Sequence, residues 1–147
     1  MSLRRSTSFI ISFASIAGLS AVALAAFAEH GAATVAPAAK AVAWILQATD
    51  FQMNHALALI LIAVLTDRMV DGLARTMCLG AAALMALSIL FFPGSLYSLS
   101  FNGPGDLAPV GGFCAMIGWA IFGIGALVGA RKGAFSPSMR VQAQPAE

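Results

Sequence analysis

A chain of 147 residues that is 60% hydrophobic and only 10% charged is far from a soluble domain, in which roughly a quarter of residues carry charge. The formal net charge of +2 is too small to point to nucleic acid, and two cysteines make no disulfide framework. At about 20 apolar residues per bilayer crossing, we read an all-α membrane protein: one domain, a four-transmembrane-helix bundle with a short interfacial helix between helices 1 and 2.

Residues 1–7 form a short N-terminus that carries Arg4 and Arg5, and the first span follows at about residues 8–28. It has the outline of a secretory signal peptide, with a basic start, an apolar core and small residues at Ala23, Ala25, Ala26 and Ala28 that offer cleavage sites. We favour a retained helix, because the apolar run is longer than a signal core of roughly 7–15 residues. Ala14, Gly18, Ala21, Ala25 and Ala28 also make a smooth stripe on which another helix can pack closely.

Pro37 pushes the next helix start to its own position or later. From there Val42, Ile45, Leu46 and Thr49 share a face, with Lys40 and Trp44 beside them. That pattern predicts a short interfacial helix with an aromatic anchor, the alternative being a lengthened start of the second span. The second span is placed at about residues 49–66, followed by a charged loop with Asp67, Arg68, Asp71 and Arg75 that must lie in water. The third span occupies about residues 76–99, interrupted by Pro93-Gly94, and we leave open whether the helix continues past them.

Asn102-Gly-Pro-Gly-Asp106 is a turn by composition. The fourth span, about residues 109–130, opens at Pro109 and carries a second smooth stripe, Gly111, Ala115, Gly118, Gly125 and Gly129. Gly18, Gly111, Gly118, Gly125 and Gly129 are the helix-packing positions we single out. Residues 131–147 are a polar tail, expected to be flexible and cytoplasmic. Cys78 and Cys114 begin antiparallel neighbouring spans from opposite leaflets, which puts their sulfurs on the order of 15 Å apart, beyond disulfide reach.

Four spans put seven of the eight basic residues on one side and Lys40 alone on the other, so we expect both termini in the cytoplasm and the chain in a bacterial inner membrane. Glu29, His30, Asp50, Gln52, Asn54 and His55 then gather at the outer face, joined by Tyr97 if the third helix continues. Polar groups in hydrocarbon need partners, so His30, Gln52, Asn54, His55 and Tyr97 form a candidate cluster inside the bundle. Its functional reading is a quinone headgroup pocket, or a haem held axially by His30 and His55. Its structural reading, which we favour, is a hydrogen-bond network that fixes packing, with no cofactor and no metal. No acidic or basic residue lies deep in a span, against a proton-coupled transporter, and no phosphate loop, H-E-x-x-H pair or G-x-S-x-G turn is present. Ser20, Ser88 and Thr66 read as helix-packing hydroxyls rather than nucleophiles.

Four stretches carry a resemblance. Phe27-Ala-Glu-His-Gly31 is similar to an F-G-A-H-G-like motif, and Phe51-Gln-Met-Asn-His-Ala-Leu-Ala-Leu59 to Y-Q-M-Y-H-A-L-A-L. Pro93-Gly-Ser-Leu-Tyr97 matches S-G-S-L-Y, while Pro109-Val-Gly-Gly112 with Gly118-Trp119 matches P-x-G-G…G-W. In order and spacing over about residues 8–130 the chain resembles the YgdD-like family of small bacterial inner-membrane proteins, a domain of unknown function. Glu29, Asn54 and Pro93 depart from the motifs. The resemblance implies a retained first helix and a third helix that includes Leu96-Tyr97, and brings no activity. We therefore expect a non-enzymatic accessory, assembly or lipid-interacting subunit whose partners are membrane lipids and other membrane proteins. The alternatives are a quinone- or haem-binding redox subunit and a small channel or transporter.

Overall fold

A computed structural model of the chain describes residues 3–31 and 39–131. Pro37, Lys132, Arg140 and the rest of the tail lie outside the described residues. Four helices follow one another: α1 Arg5–His30, α2 Ala39–Asp67, α3 Leu73–Ser100 and α4 Ala108–Arg131. Each is long and apolar enough to cross a bilayer. At about 1.5 Å per residue, even the 24 residues of α4 exceed the roughly 30 Å hydrocarbon layer, so the helix ends reach the interfaces.

Among the described residues there is no separate interfacial helix. Ala39–Asp67 is one unbroken helix of 29 residues, so the stretch around Trp44 is the first part of the second span. The reason lies in its partners. Ala41, Ile45 and Ala48 are buried in the bundle, and Ser100 Oγ stands 3.1 Å from the Ala41 carbonyl, so these residues pack on protein rather than lie flat on a membrane surface. Lys40 sits over the Trp44 ring, 4.9 Å from its centre.

Each helix packs chiefly on its neighbours in the chain, which leaves α2 and α3 as the central pair and α1 and α4 on the flanks. The α1 segment with the outline of a signal peptide is thus an integral member of the bundle. Its buried face includes Ala14, Ala17, Ala21 and Ala28, while Phe9, Ile16, Leu19 and Val22 point outward. Lipid tails are as apolar as leucine, so no hydrophobic force drives helix on helix; small residues that permit close van der Waals contact decide which face turns inward. The core between α1, α2 and α3 combines Ala14, Ala17, Leu59, Ile62, Met85 and Ile89.

The α3–α4 contact is tighter still. A methyl group built on Gly111 would stand 2.7 Å from Cβ of Phe92; one on Gly118 would be 3.1 Å from Met85 Cγ; one on Gly125 would be 3.1 Å from Cys78 Sγ. As the glycine advances seven residues along α4, its partner retreats seven along α3. A seven-residue repeat on both helices is the register of left-handed, knobs-into-holes packing, and here the holes are glycines. Gly129 is buried on the same face. Gly18, by contrast, is only partly buried, and a methyl there would meet Met53 Sδ at 4.0 Å, an ordinary contact. Cys78 and Cys114 are both free thiols.

Pro93 lies inside α3 and does not end it. Proline removes one helical hydrogen bond, which membrane helices absorb through neighbouring groups. The helix runs on to Ser100 and stops at a Schellman motif, in which Gly103 N–H bonds to Ser98 O at 2.8 Å and Asn102 N–H to Leu99 O at 3.1 Å. Asn102 takes the left-handed conformation this cap requires, φ 62°, which asparagine tolerates better than most side chains.

Candidate functional site

The polar turn of α2 divides between two environments. Gln52 and His55 are three residues apart on one side of the helix and are buried, whereas Asp50 and Asn54 are exposed. Burial of an amide or imidazole is costly unless its hydrogen bonds are made, and among the described residues no buried side-chain nitrogen or oxygen lacks a hydrogen bond.

Gln52 joins three helices. Its Nε2 donates to the Ala17 carbonyl and to Ser20 Oγ on α1, each at 2.7 Å, and its Oε1 accepts from the Tyr97 hydroxyl on α3 at 2.9 Å. The Ala17 carbonyl can only accept, so the amide nitrogen must face it and the orientation of the side chain follows. Ser20 Oγ in turn donates to the Ala17 carbonyl at 3.0 Å.

His55 joins α2 to α4. Its Nδ1 lies 2.9 Å from the Phe51 carbonyl, and the Trp119 indole N–H donates to its Nε2 at 3.4 Å. A carbonyl only accepts and an indole only donates, so the ring is neutral with its proton on Nδ1. Phe51 stacks on it at 3.9 Å and packs on Phe92 of α3 at 4.4 Å. Trp119 meets the imidazole edge-on at 6.3 Å.

Of the candidate cluster, Gln52, His55 and the half-buried Tyr97 thus sit inside the bundle, and Asn54 and His30 do not. His30 is exposed at the end of α1, where it lines a groove with Glu29, Asp50 and Met53. Met53 and His55 are about 200° apart around the helix, so the two histidines face different sides of α2. The described residues contain no group of three or more His, Cys, Asp or Glu side chains placed to hold a metal ion.

Sequence reasoning missed two partners. Trp119 entered only as part of a motif, because a tryptophan in an apolar helix carries no sign of which group its N–H will meet. The other is a polar cluster at the basic end of the bundle. Asp67 Oδ1 accepts from the Arg4 backbone N–H at 3.2 Å and from Thr7 Oγ1 at 2.9 Å. A carboxylate thereby occupies the N-terminus of α1, where the helix dipole favours negative charge. Asp71 bridges Arg4 at 2.6 Å and Arg75 at 3.2 Å, and Arg75 reaches Ser6 Oγ at 3.2 Å. The charged loop is therefore fastened to the start of α1.

A family model described as a protein of unknown function, DUF423, matches residues 24–112. The chain belongs to the DUF423 family. It is 33% identical over 114 residues to a UPF0382 membrane protein of Haemophilus influenzae, covering 74% of this chain and 86% of that one. It is 32% identical over 128 residues to the UPF0382 inner membrane protein YgdD of Escherichia coli K12, covering 85% and 94%. The UPF0382 membrane protein YwdK of Bacillus subtilis is 34% identical over 122 residues, covering 81% and 95%. No solved structure matches. The protein is thus an integral membrane protein of a family without an assigned function, and the matched range holds Gln52, His55 and Tyr97.

Proposed function

We propose that the protein is a non-enzymatic accessory, assembly or lipid-interacting subunit of a larger membrane complex, with both termini in the cytoplasm. The observation that supports this is the state of the buried polar groups: both nitrogens of His55 and both amide atoms of Gln52 are engaged by other protein groups. A pocket for a quinone headgroup would leave one of them aimed into open space. Arg4, Arg5, Arg68, Arg75 and Arg131 at one end, against Lys40 at the other, support the orientation.

Purification in mild detergent tests the reading. A stable set of co-purifying membrane proteins, with no haem absorption band and no extractable quinone, is the expected result. A haem band, or quinone that is lost in His55→Ala, overturns it in favour of a redox subunit. For orientation, a C-terminal green fluorescent fusion is expected to be bright and an alkaline phosphatase fusion inactive; the reverse pattern overturns the cytoplasmic placement.

A further inference from the structure

At the end of the bundle opposite the arginines, residues of α3 and of the α3–α4 turn enclose a groove of about 420 Å³, within the roughly 300–1,000 Å³ of small-molecule sites. Its apolar lining includes Leu90, Phe91 and Leu107, and its polar lining is Ser95, Ser98 and Asp106. We propose that this groove binds a single-chain amphiphile with a primary ammonium group, the ammonium shared by Asp106, Ser95 and Ser98 and the chain lying over Gly94 toward Leu90 and Phe91. Such a site goes beyond an accessory role, which requires no small ligand.

Ser95 is the residue that points to a ligand. It is only 6% exposed. The other buried hydroxyls of α2 and α3, those of Thr49, Thr66, Ser88 and Ser100, each donate to a carbonyl one turn back, the usual recourse of a hydroxyl inside a helix. The Ser95 hydroxyl makes no such bond and has no other partner among the described residues. Every fully enclosed side-chain oxygen among those residues is bonded, so this one opens into the groove. A polar group so far removed from water is costly unless a guest completes its hydrogen bond.

Register and charge select the guest. Gly111 lies against Phe92 and Gly105 against Leu99, so the antiparallel chain brings Asp106 level with about Tyr97, between Ser95 and Ser98. All three polar groups thus fall within roughly one helical turn of 5.4 Å. Asp106 has no ion pair or side-chain hydrogen bond among the described residues. Lys40, the only described lysine or arginine at this end, is on α2, which meets α3 at Ser100, about 200° around the helix from Ser98. A carboxylate and two serine oxygens can accept from the three N–H donors of a primary ammonium. A phosphate ester finds no basic side chain in the lining and is repelled by Asp106. Gly94 is exposed, and a methyl there would meet nothing within 4 Å, so the α3 surface below Ser98 is open to an apolar chain.

The test is native mass spectrometry of the full-length protein offered equal amounts of dodecylamine, dodecyltrimethylammonium and dodecanol. Dodecylamine is expected to be retained about tenfold over the trimethyl compound, which has the charge without N–H donors, and over the alcohol, which has a donor without the charge. Asp106→Asn and Ser95→Ala should each lower its retention about tenfold. Gly94→Leu, which adds a side chain where a methyl meets no protein, should abolish it. Equal retention of all three compounds by the wild type overturns the proposal, as does an amine preference that survives Asp106→Asn or Gly94→Leu. Displacement of dodecylamine by dioleoyl phosphatidylethanolamine overturns the assignment to a single-chain amine. The accessory-subunit reading is judged separately, by co-purifying proteins.

Discussion

The Tyr97 hydroxyl donates to Gln52 Oε1 at 2.9 Å while the other end of the same amide donates to α1, so one side chain on α2 holds both of its neighbours. Interhelical hydrogen bonds in membranes are worth about 0.6 kcal/mol on average and at most about 1.7. Tyr97→Phe is therefore expected to cost about 1 kcal/mol and Gln52→Ala about 2, measured by denaturation with SDS. A double-mutant cycle should give a coupling well above zero; additive effects would show that the bond contributes nothing.

The glycines of α4 should not be equivalent. Gly111→Ala drives a methyl into Phe92, an overpacking expected to cost about 1–3 kcal/mol or more. Gly123→Ala meets nothing within 4 Å and should fall within about 0.5 kcal/mol of the wild type. Equal effects of the two substitutions would refute the register.

For His55, nitrogen NMR of the imidazole should report a neutral ring protonated at Nδ1. Trp119→Phe keeps most of the packing and removes the donor, and is expected to cost about 0.5–1 kcal/mol. Protonation at Nε2 instead would mean that the indole donates elsewhere.

At the basic end, Asp67→Ala should destabilise the bundle more than Asp71→Asn, because Asp67 accepts two hydrogen bonds from the start of α1 whereas Asp71 is 77% exposed. Exposed ion pairs are screened by salt. The effect of Asp71→Asn should therefore fade at high ionic strength, measured by the same SDS denaturation.

The number of helices was legible in the amino acids alone, because a crossing needs about 20 apolar residues and the chain contains four such runs. So was the packing face of α4, since Gly111, Gly118, Gly125 and Gly129 recur at helical spacing and are buried. The residues themselves left three features open that the packed helices decide. The stretch around Trp44 belongs to α2, α3 passes Pro93 as the family resemblance implied, and Gln52 and His55 serve different neighbours, α1 with α3 in one case and α4 in the other. One physical reason covers all of them. Apolar length and small-residue spacing are properties of one segment, whereas the partner of a buried polar group, or of a backbone carbonyl beside a proline, lies on another helix that local sequence does not specify.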